Sequence, residues 1–331
     1  MFDVRRSTLG PPFRRQRRTS NGERRTISIA VLLLAALAAG CATAPARSGV
    51  SPIDAAVESA SRRCACRIGV AARHLESGRA YERNGAAEFE SASLIKIAIV
   101  TEAMAQVKEG KIALSDRWTL SQEKKADGSG TLLMLDSGLN PTWNDLITLM
   151  IGPSDNSATN AWIDRLGIAA INARMAGMGL PHIHLFAMIP PLAHAHDDPS
   201  PWLGFRLGSV TPRELADWMG RVANGEVLDD ESSRKIFEYL DKDPTRLRIA
   251  RRFPSEILWA GKSGSMRGVH NDSGILRTKK GRFVLVVLTD GSKGSAASSA
   301  DHPSVLAIAD VAKAIVDTWS RDLPDIVDKP K

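Results

Sequence analysis

Residues 93–108 read SLIKIAIVTEAMAQVK, a helical stretch that is apolar nearly all round and begins with a serine and a lysine. A helix with apolar residues on every side belongs in a protein core rather than on its surface. Helical patterns continue from here to about residue 250. They are interrupted between residues 180 and 210, where five prolines and the lack of a clean period indicate a long loop.

Strand patterns flank this helical region on both sides, and a helix is expected near each end of the chain. Strands at both ends with helices between them predict an α+β fold. Residues 53–90 and 256–323 would complete one antiparallel sheet flanked by the terminal helices, and residues 91–255 would form an all-helical lobe. The expected strands are Arg67–Leu75, Ala80–Arg83, Leu258–Lys262, Gly274–Arg277 and Phe283–Thr289, and the expected terminal helices are Ser51–Ser61 and Pro303–Asp322.

Ser93 and Lys96 are three residues apart, so a helix places both on one face, one turn apart. A serine hydroxyl is a poor nucleophile until a neighbouring base removes its proton. A lysine in a largely apolar helix loses part of its preference for the charged form and could be that base. The alternative is that Ser93 caps the helix and Lys96 extends to solvent, and the pair alone does not decide between them.

Two further motifs follow. Residues 154–156, Ser-Asp-Asn, lie between two helical stretches and offer a second hydroxyl beside an amide. Residues 261–265, Gly-Lys-Ser-Gly-Ser, lie on an expected edge strand and offer a second lysine and close backbone approach through glycine. The order Ser-x-x-Lys, Ser-Asp-Asn, Lys-Ser-Gly matches the motif set of class A β-lactamases and penicillin-binding proteins, with serine in place of threonine in the third motif.

Residues 55–320 therefore resemble the class A β-lactamase family of serine hydrolases, and a site at the seam between sheet and helices is expected. The resemblance implies that Ser93 attacks a lactam or amide carbonyl, with Lys96 as activating base or proton relay. Ser154 would pass a proton to the leaving nitrogen, assisted by the charge of Lys262.

The resemblance also implies how substrate is held. Asn156 would bind its side-chain amide, and Lys262 and Ser263 would hold its carboxylate. The backbone N–H groups of Ser93 and Ser265 would form the oxyanion hole, usually a large catalytic contribution. Ser129, in a Gly-Ser-Gly loop, and Gly264 complete the expected substrate-binding residues. No metal or cofactor is implied, and we expect a monomer that binds a small molecule or peptide.

Two positions depart from the family pattern. Family β-lactamases carry a glutamate after the Ser-Asp-Asn helix that activates the deacylating water, and the matching position here is Ile189, with no glutamate between Asp164 and Glu214. Asn271 stands where some family members place an arginine for the substrate carboxylate. The sequence therefore predicts competent acylation and slow deacylation.

The expected loop of residues 180–210, which contains Ile189, also contains four histidines, His182, His184, His194 and His196. They could be structural, supply a replacement general base, or bind a metal, because histidine titrates near neutrality and ligates metals. The structural interpretation is favoured.

The sequence motifs are compatible with three functions. The leading hypothesis is a β-lactamase that opens lactams through a Ser93 acyl-enzyme. The first alternative is a D,D-peptidase- or esterase-like hydrolase of the cell envelope. The second is a penicillin-binding sensor that acylates and stays acylated.

Residues 1–40 predict an export signal, because an arginine-rich stretch precedes the apolar run Ile27–Ala39. That run is too short to span a bilayer. The expected signal ends in Leu-Ala-Ala-Gly before Cys41, which resembles a lipobox, so that Cys41 would be lipidated. A plain cleaved signal is the alternative, and the export route is not decided by the sequence. Residues 41–52 would be a tether. We expect the mature protein in the cell envelope, with membrane contact only through that lipid.

The positive charge of the chain belongs mostly to this leader. The whole chain carries 44 basic and 37 acidic side chains, whereas residues 41–331 carry 36 and 35. A near-neutral mature chain gives no argument for nucleic-acid binding. Beyond Cys41, the chain has Cys64 and Cys66, which on a strand would share a face without bridging easily, so buried free thiols are expected.

Overall fold

The computed structural model describes residues 50–191, 206–243, 246–292 and 299–326, which belong to one compact unit. The expected export signal and almost all of the expected tether lie outside these residues. Within them, no helix has both the length and the apolarity needed to cross a membrane.

A five-stranded antiparallel sheet forms the centre of the fold. Its strands are β1 (Arg67–His74), β2 (Ala80–Arg83), β6 (Leu258–Met266), β7 (Val269–Thr278) and β8 (Gly281–Asp290), in the order β2-β1-β8-β7-β6. It joins strands from the two ends of the chain, because β1 pairs along its whole length with β8. This confirms the expected α+β fold class and its antiparallel sheet.

Alternate residues of β8 serve two different hydrophobic cores, as the period of two in a strand requires. Phe283, Leu285 and Val287 face the terminal helices α1 (Pro52–Cys64) and α8 (Pro303–Ser320). Val284, Val286 and Leu288 face the helices of the middle segment. The sheet is therefore covered on both sides, and its apolar strands are explained by that double burial.

The helices of the middle segment pack around α2 (Lys96–Lys108), as its all-round apolar pattern predicts. Every residue of α2 from Lys96 to Ala105 is buried. Buried residues of the middle helices form one hydrophobic core with residues on one face of the sheet, so the Ser93–Lys96 motif lies where helices and sheet meet. The other helices are α3 (Trp143–Ile151), α4 (Asn156–Leu166), α5 (Ile168–Gly177), α6 (Pro212–Asn224) and α7 (Asp230–Leu240).

The segment expected to be a long loop contains regular structure at both ends. A second sheet has the order β3-β5-β4, formed by Phe89–Glu90, Gly208–Val210 and His184–Leu185. Strands of two or three residues show no readable alternation, which explains why the sequence predicts a loop here. The small sheet ties the stretch before Ser93 to both ends of this segment.

Cys64 and Cys66 form a disulfide, so the expectation of free thiols is wrong. The error lies in the premise that both residues share a strand. Cys64 ends α1, Ala65 takes a left-handed conformation with φ 48°, and Cys66 precedes β1. That turn brings the two Cα atoms to 5.1 Å, within the usual range for a disulfide.

Candidate active site

Ser93 lies in a short 3₁₀ helix, Ala92–Ile95, directly before α2. It is half-buried and lines a cavity of about 860 Å³ between the helices and β6. The cavity also contains most of the residues expected to bind substrate, so the structure brings the three motifs together. These residues are Ser129, Ser154, Asn156, Ser263, Gly264 and Ser265.

Lys96 begins α2 with its ammonium fully buried among acceptors of the second motif. Its Nζ donates to the backbone oxygen of Ser154 at 2.6 Å, to Ser154 Oγ at 3.0 Å and to Asn156 Oδ1 at 3.0 Å. Burial lowers the pKa of Lys96 well below its ordinary value, and the nearby charge of Lys262 lowers it further, against the opposing effect of Asp155. The alternative in which Lys96 extends to solvent is therefore excluded.

Ser154 occupies a strained backbone position, with φ 60° in a non-glycine residue. Hydrogen bonds from neighbouring residues keep the Ser154 backbone in this conformation. Its carbonyl accepts from both Lys96 Nζ and Ser129 Oγ, the latter at 2.8 Å. Asp155 caps α4 by accepting from the Ala158 amide. The hydroxyl of Ser154 is thereby directed toward Lys96 and the cavity.

Asp155 also anchors the Gly-Ser-Gly loop, a role that its place in the motif did not indicate. Its Oδ2 accepts from the amides of Thr131 and Leu132 at 2.6 and 2.7 Å. Asn156 is fixed from the other side, because its Nδ2 donates to the Asp127 carbonyl at 2.6 Å. With both ends of its amide engaged, Asn156 presents a fixed dipole to the cavity.

Gly264 lies where the sheet packs tightly against the turn that carries Ser93. A Cβ at this position would lie 2.9 Å from the Ser93 amide nitrogen and 3.0 Å from the Ser91 carbonyl. Only glycine therefore lets β6 pass so close to the turn that carries Ser93. The expectation of close backbone approach at the third motif matches this geometry.

Lys262 is a buried residue of β6, and its Nζ donates to the Ser263 carbonyl at 2.9 Å. Burial lowers its pKa to about 8, a shift opposed by the charge of Asp243 and reinforced by that of Arg248. Burial also raises the pKa of Asp272, to about 7. Asp272 accepts from the Ile249 amide at 3.0 Å. A buried lysine and a buried aspartate thus lie together next to the third motif.

Arg248 is the main residue of this region that the sequence reasoning missed. Its guanidinium donates to the carbonyls of Gly264 and Asn271 at 3.1 and 2.6 Å, and to Ser265 Oγ. Asn271 itself is buried and donates to the carbonyls of Glu90 and Ser91. Asn271, which stands where some family members place an arginine, therefore has a structural role. The positive charge next to the third motif belongs to Arg248 instead. Nothing in its local sequence signals this.

Ile189 fills the position where the family pattern places a glutamate. It is 3% exposed and lines the cavity. Asn160 holds its backbone from both sides, donating to the carbonyl at 2.8 Å and accepting from the amide at 3.0 Å. Glu90, a carboxylate on the same cavity, is occupied by the amides of Leu207 and Gly208 and by Arg206.

The two described histidines of the loop have structural partners. His182 Nδ1 lies 2.5 Å from Glu214 Oε1, and this hydrogen bond raises the pKa of His182. His184 contacts Asn172 and the ring of Phe186. His194 and His196 lie outside the described residues. Within residues that are described, no group of three His, Cys, Asp or Glu side chains could hold a metal ion.

Comparison with known proteins identifies the family. A family model described as "Beta-lactamase enzyme family" matches residues 52–319. The crystal structure of a β-lactamase from Sphaerobacter thermophilus DSM 20745 is 31% identical, with 83% of this chain and 99% of that chain covered and a TM-score of 0.72. A comparison with curated proteins finds no match.

Two further solved structures share the fold at lower identity. PBP-A is 23% identical over 82% of this chain and 97% of that chain, with a TM-score of 0.70. An ancestral class A β-lactamase (GNCA) is 22% identical over 80% of this chain and 99% of that chain, with a TM-score of 0.70. The chain therefore belongs to the beta-lactamase enzyme family and is class A-like.

Proposed function

We propose that this protein is a β-lactamase-type serine hydrolase that opens β-lactams by forming an acyl-enzyme on Ser93. The observation that carries the proposal is the environment of Lys96. Its buried ammonium has a strongly lowered pKa, lies one turn from Ser93 and donates to Ser154 Oγ at 3.0 Å. Burial favours the neutral form of this lysine, and the neutral amine can take the proton of the Ser93 hydroxyl as it attacks the carbonyl.

The second motif completes the proton path. Ser154 Oγ lies within hydrogen-bond distance of Lys96 and lines the same cavity as Ser93. The proton taken by Lys96 would pass through Ser154 to the lactam nitrogen when the C–N bond breaks. The strained Ser154 backbone supports this role, because strain of this kind concentrates at functional sites.

The third motif would bind the carbonyl and the carboxylate of the substrate. The amides of Ser93 and Ser265 would stabilise the oxyanion, since Gly264 keeps β6 against the Ser93 turn. Lys262 and Ser263 would hold the carboxylate. Arg248 adds a second positive charge beneath Ser265. Asn156 would donate to the side-chain amide of the substrate.

Deacylation is the slow step in this proposal. Ile189 has no group that could activate water, and Asn160 fixes its backbone in place. Glu90 has its oxygens engaged by two amides and an arginine. Buried Ile189 specifically favours the second candidate function, a penicillin-binding protein that acylates with little turnover. A D,D-peptidase- or esterase-like activity remains the third candidate.

Released product per enzyme separates these candidates. Penicillin G, which forms an acyl-enzyme with a variant of PBP-A, is the first probe. Rapid reaction of one equivalent of penicillin G per enzyme with no further product release supports the low-turnover candidate. Many turnovers of a chromogenic cephalosporin support the β-lactamase. Turnover restricted to D-Ala-D-Ala peptides or simple esters supports the peptidase or esterase.

Ser93→Ala tests the nucleophile directly. The variant should lose the penicilloyl adduct completely, because no bond to the carbonyl carbon can form. Ser91→Ala is the matched control, since Ser91 is a buried neighbour whose hydroxyl donates to the Ala92 carbonyl. A penicilloyl adduct on Ser93→Ala by intact mass would refute the assignment.

We also propose that the protein is exported to the cell envelope. The arginine-rich leader and its apolar run motivate this, and the Cys64–Cys66 disulfide is consistent with it. Disulfides persist in oxidising extracytoplasmic compartments and are rare in the reducing cytosol. Fractionation of expressing cells, with Cys41→Ser to remove the proposed lipid, tests both parts. Recovery of intact leader in the cytosol would contradict export.

A further inference from the structure

A second cavity, of about 320 Å³, shares Ile189 with the catalytic cavity. Trp118, Met188 and Pro191 contribute apolar surface to it, and Lys124 and Lys125 contribute positive charge. None of the three expected motifs lines this cavity. It is therefore a separate feature of the fold, and the proposed acyl transfer makes no use of it.

Lys125 is the unusual residue of this cavity. The residue is only 8% exposed, yet its ammonium has no hydrogen-bond acceptor or ion-pair partner among the residues that the structure describes. Lys124 beside it is exposed and engaged, donating to the Thr119 carbonyl at 3.1 Å and lying 5.0 Å from the Trp118 ring centroid. Because the ammonium nitrogen is not fully enclosed, it is accessible from the cavity, and an anion bound there could pair with it.

The other charges on the cavity do not neutralise Lys125. Glu123 and Asp164 also line it, but both are exposed and neither forms an ion pair with Lys125. Glu123 and Asp164 are exposed to solvent as residues, whereas Lys125 as a residue is mostly buried. Because solvent and salt weaken the attraction of exposed charges, we expect Lys125, the least exposed charged residue of the cavity, to contribute most to recognition of a ligand inside it.

The apolar part of the cavity restricts what such an anion can be. The Trp118 side chain is half-buried and Met188 is 40% exposed, so both offer surface that a ligand would cover. Ile189 adds a fully apolar wall. A lysine is a single point charge that suits a singly charged anion, and the apolar surface favours an organic body, so one carboxylate on an apolar body matches these groups best.

We propose that this cavity is a second ligand site that takes small amphipathic organic anions, an aromatic or aliphatic monocarboxylate. The carboxylate meets Lys125, and the apolar body packs against Trp118 and Met188. The site is independent of acyl transfer at Ser93. Ile189 separates the two cavities, and Asn160, which clamps the Ile189 backbone, lines the second one.

Calorimetric titration of the full chain with indole-3-acetate, and with the neutral indole-3-acetamide, tests the charge requirement. The acetate should bind saturably and the amide about tenfold more weakly or worse, as expected for loss of a charge-assisted contact. Lys125→Met should weaken acetate binding by about tenfold or more, and Lys125→Arg should retain it. Lys279→Met, which removes an exposed lysine in the β7–β8 turn, should leave it unchanged.

The location is tested by filling the catalytic cavity first. After Ser93 is acylated with penicillin G, indole-3-acetate should bind with an affinity within about threefold of that of the free protein. Circular dichroism and Ser93 labelling verify that the lysine variants are folded, with Lys125→Gln as a second charge-free variant. Three results would overturn the proposal: equal binding of acetate and amide, unchanged binding by both charge-free variants, or loss of binding on acylation. If penicillin G does not acylate Ser93, the lysine variants still decide the question.

Discussion

Gly264 and Ser93 are packed backbone to backbone, so that a Cβ at position 264 would lie 2.9 Å from the Ser93 amide nitrogen. Real Cβ atoms do not come so close to backbone, and either β6 or the Ser93 turn would have to move. Both candidate oxyanion donors, the amides of Ser93 and Ser265, lie beside this contact. The geometry of the proposed oxyanion hole therefore depends on a missing side chain.

Gly264→Ala should lower the rate of Ser93 acylation by about 10²-fold, because small misplacements of reacting groups cost that much. Stopped-flow acylation with penicillin G measures it. Gly220→Ala is the control, since Gly220 lies in α6 with no atom within 4 Å of an added Cβ. That change should be neutral or slightly stabilising. Equal acylation rates in Gly264→Ala and the unaltered protein would refute the packing argument.

Ile189→Glu should shorten the lifetime of the acyl-enzyme by about tenfold or more, which is a fraction of the roughly 10²–10⁴-fold that a well-positioned general base contributes. The backbone at this position is already clamped by Asn160, and the side chain lines the cavity that holds Ser93. Time-resolved intact mass after a pulse of penicillin G measures the lifetime. Ile189→Gln matches the size and polarity without the base and should give no comparable gain. Equal gains from both variants would point to pocket hydration rather than base catalysis.

The Cys64→Ser/Cys66→Ser double variant should lower the free energy of unfolding by about 1–2 kcal/mol, because the disulfide closes a very short loop. Thermal denaturation with and without reductant measures it, and the reduced unaltered protein should behave like the double variant. Counting reactive thiols in the native protein gives an independent check. If the double variant shows two fewer reactive thiols than the unaltered protein, the two cysteines are not bridged.

The parts of this structure that follow from local spacing could be read from the sequence. Ser93 and Lys96 meet near the start of one helix because three residues make about one turn. The apolar patterns of residues 67–75 and 283–289 predict the strands β1 and β8. Arg248 could not be found in this way, because its contacts with Gly264, Ser265 and Asn271 are made across the fold.

Local backbone conformation limited the prediction in a second way. The disulfide depends on Ala65 adopting a left-handed conformation, which alanine rarely does and which no pattern announces. The strands β3, β4 and β5 are too short to carry a period. The two hydrogen bonds between Asn160 and the Ile189 backbone could not be predicted either, because they join a helix to a loop 29 positions away in the sequence. Tertiary contacts, rather than propensities, set each of these features.

The pH dependence of acylation should report the two buried lysines. Lys262 has a pKa lowered to about 8 by burial, so it is charged below that pH and neutral above it. For a penicillin that carries a carboxylate, the second-order acylation rate constant should fall as the pH rises through about 8. Lys96 has the opposite requirement, because only its neutral form accepts a proton. The rate should therefore also fall as the pH drops through the lowered pKa of Lys96.

Lys262→Arg separates the two limbs, because a guanidinium keeps its charge across this range. The alkaline limb should move to higher pH, while the acid limb should stay, since the positive charge that helps to lower the pKa of Lys96 is retained. Lys262→Gln removes that charge and should shift the acid limb upward. Stopped-flow acylation between pH 5 and pH 10 measures each profile, with the methyl ester of penicillin G as the substrate without a carboxylate. An alkaline limb unchanged in Lys262→Arg, or equally steep for the ester, would assign it to a different group.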